Sequence, residues 1–445
     1  MLLLKDAMPV TPTDRAALER PTCRQLAGSA LTLAAWLAVV APSTASAQQA
    51  TAPATPAPVA GWQNGFFLQS PNGDNRLQIG STMQLDGRFT TDDPAPIVDT
   101  FAIRKARIAF SGRVAKYFDF RIQPDFGNGQ ATVVDAYFDI RFSQKLRIRT
   151  GKDKTPVGHE ILIGDPALLF PERALPSTLL PNRDVGIHAQ GDLLGGRLSY
   201  DGGVFNGVLD GTNSTTDVDT NNGKDVAGRV VVQPFRRAGA PAGPLTGLGL
   251  AVGGSTGTQI GALPSFKTSA GQTYFSYGPA LSGVPATVAN GTRNRVTPAV
   301  SYYYGSFGAF AEYARSTQAV SRGGDVHDLS HHAWDVTGSY FLTGETATAA
   351  VPVPNHPFDP SAHKWGALQI VARYATLDID DAAFDGNFAA AGASHSAQQF
   401  TVGANWYPAQ YVKYYLNYEQ TVFDRNAPGA RPTEHVLFMR AQVAF

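Results

Sequence analysis

A two-residue alternation of apolar and polar side chains recurs along this chain and constrains its fold more than any other feature. It is clearest in 117–126, where Phe118, Phe120, Ile122, Pro124 and Phe126 share one face of an extended chain and Asp119, Arg121, Gln123 and Asp125 share the other. Successive side chains of a β-strand point to opposite faces, so the pattern predicts strands with one lipid-facing and one wet face. The last segment, Glu434–Phe445, alternates in the same way and ends at an aromatic residue, as the closing strand of an outer-membrane β-barrel should.

Counting such segments predicts about sixteen strands, an even number whose size implies an aqueous lumen. The fold class is therefore all-β: a 16-stranded antiparallel transmembrane β-barrel with long extracellular loops and an inward-folded third loop. The predicted segments are 77–90, 101–115, 117–126, 133–142, 145–153, 184–193, 197–206, 224–235, 247–257, 295–304, 307–316, 332–342, 365–377, 397–407, 411–424 and 434–445.

The connections between these segments sort by length, as expected when tight turns lie on the periplasmic side and loops lie outside. Tyr274–Tyr277 is placed in a loop, because a further strand would break the even number, and Thr343–Lys364 is long for a periplasmic turn. The short connections are Ala115–Lys116, Ser143–Gln144, Leu194–Gly196, Gly305–Ser306 and Pro408–Gln410. The long ones are Thr155–Arg183, Gly207–Gly223, Thr258–Asn294, Thr317–Ser330 and Asp378–Ser396.

Aromatic residues cluster near the predicted strand ends and predict an interfacial girdle, although β-propensity alone also enriches tyrosine. They are Tyr302, Tyr303, Tyr304, Trp334, Trp365, Trp406, Tyr407, Tyr411, Tyr414 and Tyr415.

The amino end predicts export. Arg20 and Arg24 precede the apolar stretch Leu26–Ala41, and small residues follow, so residues 1–47 are interpreted as a signal peptide that is cleaved before Gln48. Residues 48–66 are interpreted as an Ala/Pro-rich linker and 67–445 as the barrel. The single cysteine, Cys23, lies in the leader, which removes disulfides and thiolate catalysis from the mature chain.

Charge and motifs exclude several classes of function. Lys and Arg number 36 and Asp and Glu number 36, a balance that gives no indication of a nucleic-acid partner. No nucleophile elbow, phosphate-binding glycine loop or metalloprotease motif occurs, so we predict no catalytic residue, no metal site and no cofactor. His327, His331 and His332 are expected to be exposed loop residues rather than metal ligands.

The predicted inward faces carry both signs of charge. Rows of guanidinium groups would attract anions, whereas arginines that pair with aspartates across strands would only stiffen a polar interior, and the sequence leaves both interpretations open. The acidic members are Asp86, Asp119, Asp125, Asp135 and Asp139. The predicted pore-lining, anion-binding residues are Lys105, Arg107, Arg113, Arg121, Arg141, Arg147, Arg149 and Arg229.

The third predicted outer loop, Thr155–Arg183, is unusually apolar and proline-rich. A loop of this composition is expected to fold inward and narrow the pore, although packing at a subunit interface would also bury it. It also contains Asp165. The charged residues assigned to the constriction are Lys154, His159, Glu160, Glu172, Arg173 and Arg183.

Over roughly Leu77 to Phe445 the chain resembles the phosphate-selective porin O and P family of Gram-negative outer membranes. The resemblance implies a trimer of sixteen-stranded barrels with the third loop in the lumen, and basic lumen residues that bind the anion, matched here by Arg104, Lys105 and Arg107. The stretches that carry it are Ile103–Arg107, Phe110–Gly112, Phe120–Phe126, Asp135–Tyr137, Ile148–Gly158, Phe170–Pro176, Asn182–Gly186, Val204–Gly207, Leu342–Glu345 and Ala372–Tyr374.

We therefore expect a passive porin in the Gram-negative outer membrane, a water-filled and anion-biased channel for small hydrophilic solutes such as phosphate. Its expected partners are membrane lipid, two further copies in a homotrimer, and the barrel-assembly machinery, which would engage Phe445. Two alternatives stay open: a barrel enzyme such as a lipase or protease, which needs a catalytic group on the rim, and a closed structural or adhesive barrel.

Overall fold

The structure is a computed structural model that describes residues 59–91, 97–214, 217–219, 221–236 and 243–445. The predicted signal peptide, 1–47, and the predicted linker up to residue 58 lie outside the described residues. In the described part of the chain, no helix is long and apolar enough to cross a bilayer.

Among the described residues, eighteen strands form one antiparallel sheet, and two more form a separate ribbon. The first ten are β1 Ala60–Trp62, β2 Phe66–Gln69, β3 Arg76–Thr90, β4 Thr100–Val114, β5 Phe118–Asp125, β6 Thr132–Arg141, β7 Arg147–Lys154, β8 Arg183–Leu193, β9 Leu198–Phe205 and β10 Asp225–Val232. The others are β11 Gly249–Gly261, β12 Phe266–Lys267, β13 Thr273–Phe275, β14 Val288–Tyr304, β15 Phe307–Arg322, β16 Asp325–Phe341, β17 Ala367–Asp378, β18 Ser396–Ala409, β19 Val412–Phe423 and β20 Glu434–Ala444.

The sheet closes on itself. Strand β20 pairs with β3, from Val436 opposite Thr90 to Ala444 opposite Thr82. When the short strands β1 and β2 are set aside, the remaining sixteen strands of the sheet form a closed antiparallel barrel. This confirms the predicted fold class, and the segment 274–277 lies outside the barrel wall, where β13 pairs with β12.

The predicted alternation is the physical basis of the wall. On β3, Met83 and Leu85 are 43% and 42% exposed, whereas Gln84 and Asp86 are 0% and 3% exposed. Apolar side chains thus point outward and polar side chains inward, the reverse of a water-soluble protein. Lipid contact stabilises such an outer face, and a charged inner face requires water or ion pairing.

Three strands extend further than the sequence predicts. β14 begins at Val288 rather than at 295, and the predicted loop Thr317–Ser330 is absent because β15 and β16 continue to a two-residue turn. That turn is Gly323–Gly324, with φ of 63° and 101°, a left-handed conformation that glycine adopts without strain. Apolar alternation fades where strands rise above the bilayer, but backbone pairing continues, so the prediction stopped too early.

Two smaller predictions need correction for the same reason, that backbone pairing extends beyond the alternating segments. His327, His331 and His332 lie in β16 rather than in a loop. The predicted linker 48–66 is wrong at its end, because Ala60–Trp62 forms β1 and Phe66 begins β2. Among the described residues, no group of three or more His, Cys, Asp or Glu side chains is arranged to hold a metal ion.

The predicted aromatic girdle mixes two populations. Trp334, Trp365 and Tyr414 are among the exposed side chains, as a girdle requires, but Tyr407 and Tyr415 are buried. The Tyr407 hydroxyl donates to Gln369 Oε1 at 2.8 Å, and the Tyr415 hydroxyl donates to the Leu168 carbonyl at 3.1 Å. Position near a strand end therefore did not distinguish inward from outward tyrosines.

Two outer loops form an apolar core at one side of the barrel mouth. The loop 262–287 contributes Phe266, Phe275 and Tyr277, and the loop 379–395 contributes Phe388. The Phe266 and Phe275 rings stack with centroids 5.4 Å apart, and the Phe388 carbonyl accepts from Gly278 N at 2.8 Å and from Thr287 Oγ1 at 2.9 Å. This core packs on β15 to β19, and the larger lumen cavities lie along β3 to β10.

Candidate pore constriction

Residues 155–182, which we call loop three, connect β7 to β8. The loop is held compact by the short 3-10 turns Glu160–Leu162, Asp165–Ala167 and Leu175–Leu179, two of which carry proline in the first turn. Most of its apolar side chains are buried, as the sequence predicts for a loop of this composition: Val157, Ile161, Leu168, Phe170, Ala174, Leu175, Leu179 and Leu180.

Inward side chains of β18 to β20 hold the middle of loop three through its backbone carbonyls. A buried backbone carbonyl without a hydrogen-bond donor is destabilising, so these bonds stabilise the loop in its position against β18 to β20. The bonds are Lys413 Nζ to Leu168 O at 2.7 Å, Asn405 Nδ2 to Leu169 O at 2.9 Å, Arg440 Nη1 to Pro171 O at 2.6 Å and Gln442 Nε2 to Pro166 O at 3.2 Å.

The start of loop three is fixed to β11, β15 and β17. The Glu312 carboxylate accepts the backbone N–H groups of His159 at 2.6 Å and Glu160 at 3.0 Å. Arg373 donates to Glu172 O at 3.0 Å and lies 3.6 Å from the Glu160 carboxylate. Val157 O lies 2.0 Å from where a Cβ at position 253 would stand, so only glycine admits this approach to β11.

Three lumen cavities are lined mainly by residues of β3 to β10 and of loop three. An outer chamber of about 540 Å³ lies against the long loops, and an inner chamber of about 490 Å³ lies against loop three and Phe445. A vestibule of about 1060 Å³ is lined by the short turns 143–145 and 194–196. Since long loops are extracellular in outer-membrane barrels, the chambers succeed one another from outside to inside.

Five of the eight predicted basic residues line these cavities, Lys105, Arg113 and Arg149 do not, and all eight have a partner. Arg107 and Arg121 line the inner chamber, and Arg141, Arg147 and Arg229 line the vestibule. Arg229 Nη2 lies 3.1 Å from His159 Nδ1. The other seven form ion pairs: Lys105–Asp165, Arg107–Asp125, Arg113–Asp119, Arg121–Asp135, Arg141–Asp119, Arg147–Asp139 and Arg149–Asp139.

The residues assigned to the constriction also make defined contacts. Lys154 Nζ donates to Ile163 O at 2.8 Å, and Arg183 Nε donates to Asp135 Oδ1 at 2.7 Å. Arg173 donates to Ile163 O and to Asp165 Oδ1, both at 2.9 Å. The Glu160 carboxylate accepts Ala174 N at 2.7 Å.

Glu172 meets three arginines, Arg104 Nε at 2.8 Å, Arg88 Nη2 at 3.1 Å and Arg440 Nη2 at 3.6 Å. Of these four residues, the sequence assigns Glu172 to the constriction, and the family resemblance implies Arg104 as a lumen residue, whereas Arg88 and Arg440 carry no assignment.

The alternation alone does not place Arg104 in the lumen, because the pattern breaks beside this residue. Gln84 pairs with Lys105 and Leu85 with Ile103, which leaves Arg104 as the extra residue of a β-bulge. The bulge allows Arg104 and Lys105 to face the lumen together, where they meet Glu172 and Asp165 of loop three. Two adjacent charges in an otherwise alternating strand were the sequence signal that could have revealed it.

Ionisation in loop three follows from these partners. Burial acts to raise the pKa of Asp165, but Lys105, Arg173 and Arg107 outweigh it and hold the pKa well below its usual range. Burial likewise acts to raise the pKa of Glu172, and Arg104, Arg440 and Arg88 lower it instead. Burial lowers the pKa of His159 from 6.5 to about 4, and Arg229 adds to that effect.

A closed sixteen-stranded barrel with an apolar outer face and a charged, loop-narrowed lumen defines an outer-membrane channel of the porin class. Residues 77–445 match the sequence profile of the family described as phosphate-selective porin O and P, and the chain belongs to that family. Its location is therefore the Gram-negative outer membrane. A search of the curated proteins finds no matching relative.

Solved porin structures share the fold at low sequence identity. The outer membrane channel DcaP of Acinetobacter baumannii aligns with a TM-score of 0.54 and 11% identity, covering 85% of this chain and 99% of that one. OmpF of Salmonella typhi aligns with a TM-score of 0.51 and 13% identity, covering 84% of this chain and 99% of that one. An anion-selective porin from Comamonas acidovorans aligns with a TM-score of 0.50 and 13% identity, covering 83% of this chain and 99% of that one. Identities this low show the fold alone.

Proposed function

We propose that this channel passes small hydrophilic solutes by passive diffusion with a bias for anions of the size and charge of phosphate. The observation that carries the proposal is the excess of basic side chains around each cavity. The outer chamber is lined by four basic side chains and one acidic side chain. The inner chamber is lined by four basic and three acidic side chains, and the vestibule by five basic and two acidic side chains. A lumen of this sign raises the local concentration of anions and lowers that of cations.

The extensive ion pairing limits the strength of this bias. Most guanidinium groups of the wall already face an aspartate, so each contributes a fraction of a free charge to the field in the lumen. We therefore expect a modest preference over a wide range of anions rather than tight selection of one. The family description and the basic linings support phosphate as one of the solutes.

The test is the zero-current potential of the purified protein in planar bilayers under a KCl gradient. An anion bias gives a potential with the sign of chloride permeation, and added phosphate then carries current as well. A cation-selective potential would contradict the proposed bias. A barrel that inserts without conducting would contradict the channel and favour a closed structural barrel.

The proposed assembly is a homotrimer in lipid, as the family resemblance implies. The outer face of β4 to β6 supports burial against lipid or another barrel, since it is rich in exposed phenylalanine: Phe101, Phe110, Phe118 and Phe138. Chemical cross-linking in native outer membranes, read by mass, tests the stoichiometry. The proposed engagement of Phe445 by the assembly machinery is tested by deleting that residue and measuring insertion in vivo.

A further inference from the structure

Two carboxylates of loop three each lie among three cationic side chains. Asp165 accepts from Lys105 Nζ at 2.8 Å, from Arg173 Nη2 at 2.9 Å and from Arg107 Nη1. Glu172 lies within the three-arginine group described above, and its two carboxylate oxygens accept from Arg104 Nε at 2.8 Å and from Arg104 Nη2 at 3.1 Å. Asp165 lines the inner chamber and Glu172 the outer chamber, so the two clusters lie on opposite sides of the constriction.

Each cluster keeps a positive excess when all its charges are counted. Arg107 is shared with Asp125, and Arg440 and Arg88 are shared with Asp86, so each cluster holds three cations and two carboxylates. Without its loop-three carboxylate, each would hold two uncompensated positive charges. The cations are largely withdrawn from water, with side chains between 0% and 29% exposed.

Two uncompensated positive charges in such a buried cluster are destabilising unless an anion from solution replaces the lost carboxylate. Carboxylate and phosphate oxygens accept the same charge-assisted hydrogen bonds from guanidinium and ammonium groups. The pKa values of Asp165 and Glu172 are both held below their usual range, so both groups stay ionised at neutral pH. The protein therefore supplies, from its own loop, the anion that each cluster would otherwise bind.

The geometry points to Asp165 and Glu172 as built-in counter-anions that occupy two anion-binding clusters in the pore and thereby weaken its selectivity. This inference rests on the proposed anion bias, and it identifies Asp165 and Glu172 as the residues that limit the strength of that bias. The wall provides five of the six cations, and loop three provides Arg173 and the two carboxylates that occupy the clusters. A permeating anion must compete with a carboxylate that the fold holds at very high effective concentration.

The test compares Asp165→Asn and Glu172→Gln with the matched control Asp153→Asn. Asp153 also lines the inner chamber, but it pairs with Arg149 on its own strand and lies in neither cluster. Each variant removes one negative charge. Zero-current potentials under a KCl gradient are measured first, and inorganic phosphate is then titrated into chloride at constant ionic strength.

We expect Asp165→Asn and Glu172→Gln to raise the anion-to-cation permeability ratio by about fivefold, the effect of one unit charge at about 4 Å in water. We also expect phosphate to reduce chloride current in both, with a midpoint on the order of millimolar. Asp153→Asn should raise the ratio less and gain no phosphate block. The inference would be overturned if the permeability ratio rose equally in all three variants and phosphate did not reduce the chloride current. The selectivity would then depend only on the summed charge of the lumen.

Two points keep the outcomes distinct. The Glu172 side chain is partly solvated, so Glu172→Gln tests the inference even where Asp165→Asn does not fold. Folding is read from heat-modifiable migration in gels. A cation-selective wild type would contradict the proposed function itself, whereas an anion-biased wild type with variants that match Asp153→Asn would contradict only this inference.

Discussion

At the scale of single residues, the lumen is built from paired charges, and its field depends on which partner is removed. Arg149 illustrates this. Its guanidinium bonds both Asp139 oxygens at 2.7 and 2.9 Å, contacts Asp153, and lies 3.7 Å from the centroid of the Tyr137 ring. One arginine is therefore paired with two carboxylates, Asp139 and Asp153.

Arg149→Ala should shift the zero-current potential towards cations, by up to about fivefold in permeability ratio, because two carboxylates lose their main partner. Arg107→Ala should act in the same direction by releasing Asp125. Arg149→Lys is the control, since it keeps the charge and should stay close to wild type. An unchanged potential in Arg149→Ala would mean that the pair adds rigidity only.

His159 should contribute no charge to the pore at mildly acidic pH. Its pKa is lowered to about 4, so it protonates only as the pH falls through that value, whereas an ordinary histidine is largely charged at pH 5.5. Asp165 and Glu172 remain ionised over the same range because their pKa values are lowered. Zero-current potentials of wild type and His159→Gln should therefore coincide at about pH 7.5 and at about pH 5.5. A more anion-selective wild type at the lower pH would show that His159 is protonated there.

At the scale of elements, the strands were predictable and the loop contacts were not. The sequence predicts 101–115 for β4, which spans Thr100–Val114, and 434–445 for β20, which spans Glu434–Ala444. Period-two alternation is a local property that lipid on one side and water on the other impose on each strand. The predicted start of β16 lies too far along the chain, because the upper part of this strand pairs without alternating apolar residues.

In the candidate site, likewise, the sequence predicts which residues face the lumen but not the contacts that they make. Alternation indicated which arginines face inward, but not which aspartate each one meets, because pairing depends on register between strands. The bonds from Lys413 and Arg440 to carbonyls of loop three join residues more than two hundred positions apart, and no local pattern contains them. The apolar composition of the loop indicated burial without indicating its partners.

Loop three should depend strongly on Arg373, whose side chain is fully buried between the loop and the wall. Its guanidinium donates to Glu172 O, pairs with Glu419 at 3.3 Å and lies 4.5 Å from the centroid of the Phe170 ring. Breaking such a buried network costs about 3 to 5 kcal/mol, so Arg373→Met should lower the free energy of unfolding by that amount. Urea unfolding in lipid vesicles measures it.

Arg315→Met is the matched control for that experiment. Arg315 is exposed and bonds only to Ser330 Oγ, at 2.6 Å, among the contacts seen in the described residues. A surface change of this kind is usually within about 0.5 kcal/mol. Equal losses in the two variants would show that Arg373 does not hold loop three more strongly than an ordinary surface arginine.

At the scale of the whole molecule, the barrel must close where its two ends meet. β20 ends one residue before the carboxy terminus, and Phe445 exchanges backbone bonds with Ser81 at 2.9 and 3.0 Å. Below that point the edge of β3 would be bare, but β2 pairs with it from Gln69 opposite Arg76 to Phe66 opposite Ile79. The amino-terminal hairpin β1–β2 thus continues the seam that the last strand leaves short, and it covers an edge that could otherwise pair with another chain.

Trp62 at the end of β1 connects the hairpin to the carboxy terminus. Its ring centroid lies 5.1 Å from that of Phe445 and 5.7 Å from that of Tyr411. Aromatic pairs at such distances contribute about 0.5 to 1.5 kcal/mol beyond buried area, so a double-mutant cycle of Trp62→Ala and Phe445→Ala should show a coupling of that size. Urea unfolding of refolded barrels in vesicles measures the coupling without the cellular assembly machinery. Trp365→Ala with Phe445→Ala is the control cycle, because Trp365 contacts Phe358 at 5.8 Å and lies away from the seam. Strictly additive losses for Trp62 and Phe445 would mean that backbone pairing alone closes the barrel.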